Sequence, residues 1–522
     1  MKVFLSYFYV FSAEKISTRN IFLTLQPVKP SIKYMSEVFV ILIIAAYFAI
    51  LFIISLITGR KKNTGNDAFF LGKKNSPWWI VAIGMLGTSV SGVSFVSVPG
   101  MVRALDFTYM QTVFGFFFGY MVVANVLLPL YYKLNLTTIY GYLKERFGRV
   151  SYKTGASFFL LSKLIGASAR LYVVALILQN LVFDAWNVPF IATVCGIVIL
   201  IWLYTFRSGI KTIVWTDTLQ TLVLVGALIL IIIQVVSQLD MNVNEITNTL
   251  IHSDKTRIFV FDDWHSKQNF FKQFFSGIFI VIVMTGLDQD MMQKNLTIKN
   301  LKDAKKNMYW GGFSFIPANF LFLILGALLL LLASQNNIQL PAVSDDILPM
   351  FAANYLGNTV FILFIIGIIA ATFSSADSAL TALTTSFYID ILEKNEETGG
   401  KITKSRIWIH LLIAALFVVV IMIFRAINNK SVIDAIYTIV SYTYGPLLGL
   451  YTFGLFTKRK ANDNWVPFIA ISSPVICWLV NFISTHYWNY AFGYELLMLN
   501  GLITFTGLML SGCFKKNNSC SQ

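Results

Sequence analysis

The chain has 522 residues, of which 57% are hydrophobic and only 12% are charged. A soluble domain carries about 25% charged residues, and a soluble protein of this length would divide into several domains with polar surfaces. Here the apolar residues form blocks of about twenty, each long enough to cross a bilayer. Because lipid cannot hydrogen-bond a backbone, these blocks must be helices. The composition therefore predicts an all-α, polytopic membrane protein.

The net charge of +15 is concentrated in short segments between the apolar blocks. These segments are Arg60–Lys62, Lys144–Arg149, Lys294–Lys306, Lys458–Lys460 and Lys515–Lys516. Such a placement is typical of cytoplasmic loops and argues against nucleic acid as a partner. The four cysteines and four histidines show no metal-ligand spacing, so no metal or nucleophile site, and no enzyme, is predicted.

Thirteen apolar blocks are predicted to span the membrane. In chain order they are 37–59, 78–103, 109–131, 157–182, 188–206, 213–237, 271–289, 309–333, 358–391, 407–425, 434–456, 465–484 and 496–513. The first block runs into Arg60–Lys62, so its end is predicted to be cytoplasmic. Alternation from there places the C-terminus inside the cell and the long polar loop 238–270 outside.

Residues 1–34 do not fit this topology. They contain several basic residues, yet alternation places them outside the cell. They also lack the apolar core and small-residue cleavage site of a signal peptide. We therefore expect translation to start at Met35, directly before the first span.

The second predicted span has an unusual composition for a membrane helix. Between Gly84 and Gly100 it contains four serines, one threonine, four glycines and one proline. Such residues favour a broken helix, whose exposed carbonyls must face protein, ion or water, and broken helices commonly build transporter sites. Tight helix packing through small residues is the alternative interpretation.

The ninth predicted span carries a polar stripe. Ala371, Ser374, Ser375 and Ser378 are spaced i, i+3, i+4 and i+7, which places them on one helical face. Asp377 lies beside that face, and packing alone does not require a carboxylate at this depth. An acid within a membrane span indicates function.

Two further charged residues lie within apolar blocks. Asp217 is near the start of the sixth span, and Arg170 is in the middle of the fourth. They could form a structural salt bridge. Alternatively, Asp217 binds a cation, and Arg170 contacts an anionic substrate or a gate.

Four segments resemble the sodium/solute symporter family. They are VPG at 98–100, VWTDTLQ at 214–220, SSADSALTALTTSFYIDI at 374–391 and SYTYGPLLGLYTFGLFTKR at 441–459. The resemblance implies a ten-helix core with a LeuT-type 5+5 inverted repeat, one helix before it and two after it. The expected division is an extra segment 1–34, a leading helix 35–60, a transporter core 77–456, and two C-terminal helices with a tail, 457–522.

The resemblance also implies where sodium binds. The principal site falls on the carbonyls of Gly87, Val90 and Ala371 and the hydroxyls of Ser374 and Ser375. Sodium is the coupling ion, and no other cofactor is expected.

A second cation site, found in some members of the family, falls on Asp217, Ser374, Asp377 and Ser378. The sialic acid transporters that have this site carry a serine where this chain has Asp377. The extra carboxylate could strengthen cation binding, or it could remain protonated through repulsion from Asp217.

The resemblance places the substrate pocket against the break in the second span. The matching residues are Ser89, Ser91, Val93 and Ser94, whose hydroxyls are similar to the carboxylate-binding set of sialic acid transporters. The glutamine and arginine partners of that set are out of register here, with Gln111 and Arg170 nearby. An organic anion is therefore the expected substrate. Tyr442 and Tyr444, beside Gly445-Pro446, are candidate gate residues, with ordinary packing as the alternative.

These observations predict a sodium-coupled symporter that imports a small organic solute by alternating access. The alternatives are a proton-coupled transporter or an ion channel in the same membrane. The expected partners are the solute, Na⁺ and the lipid bilayer, without nucleic acid, and the protein is expected to be a monomer or weak oligomer. The expected location is the inner (plasma) membrane, as a multi-pass protein with a cytoplasmic C-terminus.

Overall fold

The structure is a computed structural model that describes residues 37–59, 66–206, 209–394, 404–427 and 432–514. Within these ranges the protein is built from helices and contains no strand. The expected start at Met35 and the segment 1–34 lie outside the described residues.

Three groups of α-helices follow one another along the chain. The first is α1 (Glu37–Gly59), α2 (Asn66–Leu71), α3 (Trp78–Ser89), α4 (Gly92–Leu105), α5 (Tyr109–Val122), α6 (Leu128–Lys133) and α7 (Gly141–Arg146). The second is α8 (Arg149–Leu178), α9 (Phe190–Thr205), α10 (Gly209–Ser237), α11 (Val243–Ile251), α12 (Phe270–Val281), α13 (Gln289–Asn295) and α14 (Leu301–Gln335). The third is α15 (Ile347–Asn354), α16 (Gly357–Ser386), α17 (Lys404–Ile427), α18 (Val432–Thr443), α19 (Gly445–Phe456), α20 (Val466–Tyr487) and α21 (Leu496–Phe514).

Short turns of other helix types extend these helices. π-helical turns follow α5, α8, α12 and α16, at Val123–Leu127, Gln179–Phe183, Ile282–Gly286 and Phe387–Ile391. Short 3₁₀ turns occur at Gly72–Lys74, Asp184–Trp186, Asp254–Thr256, Ser344–Asp346 and Asp463–Trp465. π-turns inside helices are often found at functional sites. The π-turn after α12 lies directly before the point where the helical span is interrupted, ahead of α13.

The helices have the lengths that a membrane protein requires. Eight described helices are long and apolar enough to cross a bilayer, or up to ten if each of two bent pairs is one span. Three further apolar helices, α9, α19 and α21, are shorter. Each of the thirteen predicted spans overlaps one of these helices or a pair of consecutive helices, so the all-α, polytopic fold class is confirmed.

Two spans are broken. α3 and α4 meet at 57°, and the segment 270–286 meets α13 at 67°. At the first break, Val90 N donates to Leu86 O at 2.8 Å, and Val90 then leaves the helical region with φ −85° and ψ 84°. The carbonyls that follow Leu86 are therefore outside the regular helical ladder. The first break was predicted from composition, whereas the second was not.

The polar spans lie at the centre of the packing. α10 packs against α3 and α16, and α16 also packs against α4 and α8. Every residue from Gly367 to Ser386 on α16 is buried. Because this part of α16 faces other helices and not lipid, its serine hydroxyls can hydrogen-bond to protein groups.

Charge separates the two faces of the bundle. The connections 72–77, 133–149, 296–300 and 457–465 lie on one side of the bundle. Ser76 N donates to Thr297 O at 3.1 Å, and the Tyr132 hydroxyl donates to Ile298 O at 2.9 Å. Arg146 donates to Thr457 O at 2.7 Å. We call this side the basic face, for Lys74, Lys133, Lys144, Arg146, Lys299, Lys458, Arg459 and Lys460.

The connections 106–108, 238–270 and 336–346 form the opposite side. Phe107 N donates to Arg257 O at 3.1 Å, and the Arg103 side chain donates to Pro341 O. We call this side the acidic face, for Asp106, Asp240, Asp254, Asp262, Asp263, Asp345 and Asp346.

Candidate functional site

The first break lies against the serine stripe of α16. Ser375 Oγ is 3.3 Å from Thr88 O and 3.2 Å from Ala371 O. The carbonyls of Gly87 and Val90 lie on the same broken stretch and follow Leu86 O, which accepts the last helical hydrogen bond of α3. The structure thus brings the two halves of the expected sodium site, from α3 and α16, into contact. Carbonyl and hydroxyl oxygens are a chemically suitable ligand set for sodium, a hard cation without a need for fixed negative charge.

Glycine residues allow the broken span to pack closely against α10 and α16. A Cβ atom on Gly87 would lie 2.0 Å from Thr221 Oγ1 on α10. One on Gly92 would lie 2.0 Å from Thr372 Oγ1 on α16. Real Cβ atoms do not approach other atoms this closely, so both halves of the broken span need glycine where they pack.

Asp217 lies fully buried on α10, next to the same stripe. Its Oδ1 accepts a hydrogen bond from Ser374 at 2.8 Å, and its Oδ2 accepts from Ser378 at 3.3 Å. Thr88 Oγ1 is 3.3 Å from Asp217 Oδ2 and 3.3 Å from Ser374 Oγ. Three of the four residues expected at a second cation site, Asp217, Ser374 and Ser378, are therefore in direct contact.

Asp377 is turned away from this group. Its Oδ2 accepts a hydrogen bond from the Tyr204 hydroxyl of α9 at 2.9 Å, and its Oδ1 has no hydrogen-bond partner among the described residues. Adjacent residues on a helix point about 100° apart, so Asp377 and Ser378 face different neighbours. The two acids were expected to share one site, and the structure instead separates Asp377 from it.

Lys294 completes the surroundings of Asp217. Its Nζ is 2.7 Å from Asp217 Oδ2 and donates to Thr88 Oγ1, and its side chain is 1% exposed. The prediction that Lys294 belongs to a basic cytoplasmic loop is wrong, because α13 continues to Asn295 and is buried. Arg170 makes no ion pair with Asp217 in the described part of the chain, where Lys294 is the partner of this carboxylate.

A second buried ion-pair group adjoins the first. Lys163 Nζ on α8 is 3.0 Å from Asp288 Oδ2 and 2.7 Å from Asp290 Oδ2, both at the second break. Lys294 Nζ lies 3.9 Å from Asp290 Oδ1, which links the two groups. Sequence reasoning missed these residues, although the signal was present: Lys163 interrupts an apolar span, and two acids lie at the end of another.

A cavity adjoins both groups. Four of the predicted substrate residues, Ser89, Ser91, Val93 and Ser94, line it together with Arg170. Ser89 Oγ is 3.3 Å from the Tyr120 hydroxyl, which also lines the cavity. The hydroxyls of Ser91 and Ser94 make no hydrogen bond to the described part of the chain, and Arg170 has neither a hydrogen bond nor an ion pair there.

Gln111 does not reach this cavity. It is fully buried, its Nε2 donates to Gln268 O at 2.9 Å, and its Oε1 accepts from Val260 N at 3.1 Å. Gln111 therefore anchors the long loop of the acidic face, which differs from its expected role in binding substrate.

The two gate candidates have different surroundings. Tyr444 lies between α18 and α19, and its hydroxyl donates to Asp288 Oδ2 at 2.8 Å. The carbonyl of Tyr442 accepts from Asn500 Nδ2 at 2.9 Å, which ties it to α21. The Tyr444 hydroxyl therefore contacts the second break.

Comparison with known proteins agrees with this architecture. The profile of the Sodium:solute symporter family matches residues 69–464. The Sodium/sialic acid symporter SiaT of Proteus mirabilis is 24% identical over 443 residues, covering 82% of this chain and 87% of its own. The Sodium-coupled monocarboxylate transporter 1 of Mus musculus is 25% identical over 412 residues, covering 76% of this chain and 65% of its own.

A solved structure shares the fold. The substrate-bound, outward-open state of a Na⁺-coupled sialic acid symporter superposes with a TM-score of 0.76 at 21% sequence identity, over 91% of this chain and 98% of that chain. The LeuT-type arrangement implied by the sequence is confirmed by this likeness. Because the family profile covers most of the chain, and the fold with its two broken spans agrees with it, this multi-pass membrane protein belongs to the sodium:solute symporter family.

Proposed function

We propose that this sodium-coupled symporter imports a small organic anion. One observation carries the proposal: Arg170 lines the cavity but has no hydrogen-bond or ion-pair partner among the described residues. A carboxylate satisfies a guanidinium through two parallel hydrogen bonds. The free hydroxyls of Ser91 and Ser94 would supply further donors to such a group.

The names of the relatives support an anion. Those proteins are described as carriers of sialic acid and of monocarboxylates, and both classes carry a carboxylate at neutral pH. The identities of 24% and 25% are too low to transfer either substrate to this chain. The relatives support only the negative charge of the proposed solute, not its identity.

The proposed principal sodium site consists of the carbonyls of Gly87, Val90 and Ala371 and the hydroxyls of Ser374 and Ser375. The contact between Ser375 and the backbone at Thr88 supports this assignment, because it joins the two helices that carry the proposed ligands. A cation held between α3 and α16 stabilises the state in which these helices are together. Its binding and release can therefore bias which side of the membrane the cavity faces.

A second sodium ion follows from the energetics of an anion. One charge crossing 100 mV is worth about 2.3 kcal/mol. A monovalent anion carried with one sodium ion moves no net charge, so the membrane potential would not drive its uptake. We therefore propose a second sodium site on Asp217, Ser374 and Ser378.

The charge of the two faces supports an orientation. The basic face would be cytoplasmic under the positive-inside rule, which also places the C-terminus, beyond α21, on the cytoplasmic side of the plasma membrane. We also propose that the chain divides into a leading helix, a ten-helix core at 77–456 and two C-terminal helices. The protein is proposed to be a monomer or a weak oligomer.

Substitution of Arg170 tests the substrate class. In Arg170→Gln protein, the Kd for the best organic anion of a panel should rise at least about tenfold, a loss of about 1.4 kcal/mol, while the sodium affinity stays unchanged. Ser97→Ala is the control for loss of a polar group near the cavity, because Ser97 is buried on α4 but does not line the cavity. Binding of neutral sugars in preference to anions would contradict the proposal.

A further inference from the structure

We propose that Lys294 is a tethered cation that competes with sodium for the oxygens around Asp217. Sodium binding there would move the ammonium group to Asp290 and thereby free Lys163 to face the substrate. The inference rests on the proposed function and adds the step that links the second sodium ion to the anion.

The ammonium group already occupies the place of a cation. Nζ of Lys294 is 2.7 Å from Asp217 Oδ2 and also contacts Thr88 Oγ1. The same carboxylate accepts from Ser374 and Ser378, the other ligands proposed for sodium. Two cations this close repel strongly in a buried site, so a sodium ion that uses these oxygens displaces Lys294.

A second position for the ammonium group exists one helical turn away. Asp290 Oδ1 is 3.9 Å from Lys294 Nζ, on the same helix at i−4. Neither carboxylate oxygen of Asp290 has a hydrogen-bond partner among the described residues, although Oδ2 pairs with Lys163. A change of side-chain rotamer would therefore bring Lys294 to Asp290 while α13 stays in place.

The next contact leads to the substrate cavity. Lys163 is held between Asp290 Oδ2 at 2.7 Å and Asp288 Oδ2 at 3.0 Å. When Lys294 pairs with Asp290, this carboxylate attracts Lys163 less. Lys163 lines the cavity with Arg170, so its ammonium group becomes available as a second partner for the anion.

The charges in this chain of contacts support a cation as the trigger. Three buried carboxylates, Asp217, Asp288 and Asp290, face two buried ammonium groups, Lys163 and Lys294. In these contacts the carboxylates outnumber the ammonium groups by one, and a bound sodium ion would pair with the extra carboxylate. Asp377, which is also buried, and Arg170, which lines the cavity, make no ion pair with these five groups. An uncompensated charge is costly at such a depth, so this arrangement favours cation binding.

The proposed contacts couple the binding of sodium to the binding of the anion. If sodium at Asp217 raises the affinity for the anion, the anion raises the affinity for sodium by the same factor. Lys294 would be a positioning residue in this scheme, because it touches neither the proposed principal sodium site on Ala371 nor the substrate.

The test is sodium binding to the purified full-length protein in detergent, measured by calorimetry without substrate. In Lys294→Met the competing charge is gone, and we expect the Kd for the more weakly bound sodium ion to fall at least about tenfold. In Asp290→Asn the displaced ammonium group loses its second partner, so the same Kd should rise. These opposite shifts would not result from a merely structural role.

A second readout tests the coupling. Anion affinity measured with and without sodium should differ in the native protein, and this difference should shrink in Lys294→Met. An unchanged or raised sodium Kd in Lys294→Met would overturn the proposal. Should this variant fail to fold, a sodium Kd in Asp290→Asn that is unchanged or lowered would overturn it equally.

The proposed function fails in a different way. If neither the native protein nor any variant binds an organic anion, the proposed substrate class is wrong. The opposite shifts in sodium affinity in Lys294→Met and Asp290→Asn would still test the role of Lys294. Arg170→Gln provides the matched control, because it should weaken anion binding at every sodium concentration and leave both sodium affinities as they are.

Discussion

Single hydroxyl groups make the contacts between the first broken helix and α16. Thr88 Oγ1 lies 3.3 Å from Ser374 Oγ, and Ser375 Oγ lies 3.3 Å from Thr88 O. A hydroxyl can direct its oxygen toward a cation or its proton toward a carbonyl or carboxylate. The same groups can therefore hold the helices together with or without a bound ion.

Loss of one of these hydroxyls should weaken sodium binding without unfolding the protein. We expect Ser375→Ala to raise the Kd for the more tightly bound sodium ion at least about tenfold, equivalent to about 1.4 kcal/mol, in calorimetry on purified protein. Thr381→Val is the control, since Thr381 is buried on the same helix and its hydroxyl has no partner in the described residues. Equal sodium affinity in both variants would remove Ser375 from the site.

Residue spacing indicated three members of the polar cluster around Asp217 and missed the fourth, Lys294. Ser374 and Ser378 share a helical face, and Asp217 carries a charge within an apolar span, so sequence alone indicated them. The pairing of Asp217 with Lys294 depends on the direction that α13 takes after the second break. No local pattern gives that direction, and a lysine beside a basic loop looks like part of the loop.

Broken helices are the elements that build the site. The first was predictable because serine and glycine weaken a membrane helix. The second was not, since the span around 270–289 is apolar and Gly286 is its only glycine near the break at Leu287–Asp288. Its best signal was the pair of acids, Asp288 and Asp290, at the end of an apolar block. Polar residues at depth were therefore a better guide to this break than helix-breaking residues.

The packing of α3 on α10 can be tested through Gly87. Gly87→Ala should lower the melting temperature and weaken sodium binding, because the added Cβ would meet Thr221 Oγ1 at 2.0 Å. The double variant Gly87→Ala/Thr221→Ala should recover part of both losses, as a contact between neighbours predicts. Gly226→Ala is the control on α10, with open space around its added Cβ. No recovery in the double variant would contradict this account of the packing.

With the proposed two sodium ions per anion, the molecule as a whole would use both the sodium gradient and the membrane potential. A tenfold sodium ratio supplies about 1.4 kcal/mol per ion, and each net positive charge moved across 100 mV adds about 2.3 kcal/mol. Two sodium ions with one monovalent anion move one net charge, so both gradients would contribute to uptake. The fold, the family and most of the basic connections were accessible from the sequence, because each depends on patterns tens of residues long. The solute was not, because its recognition would depend on a few side chains, such as Arg170 in the proposed function, and only the structure shows that Arg170 lines the cavity.

The most direct measurement is uptake of labelled organic anions into proteoliposomes that contain the full-length protein, with and without an inward sodium gradient. One anion should accumulate only with sodium, more strongly when the vesicle interior is negative, and Ser375→Ala should abolish its accumulation at low sodium. Accumulation of the anion under a proton gradient without sodium would contradict the account, and Asp217 and Asp377 would then become candidates for proton coupling.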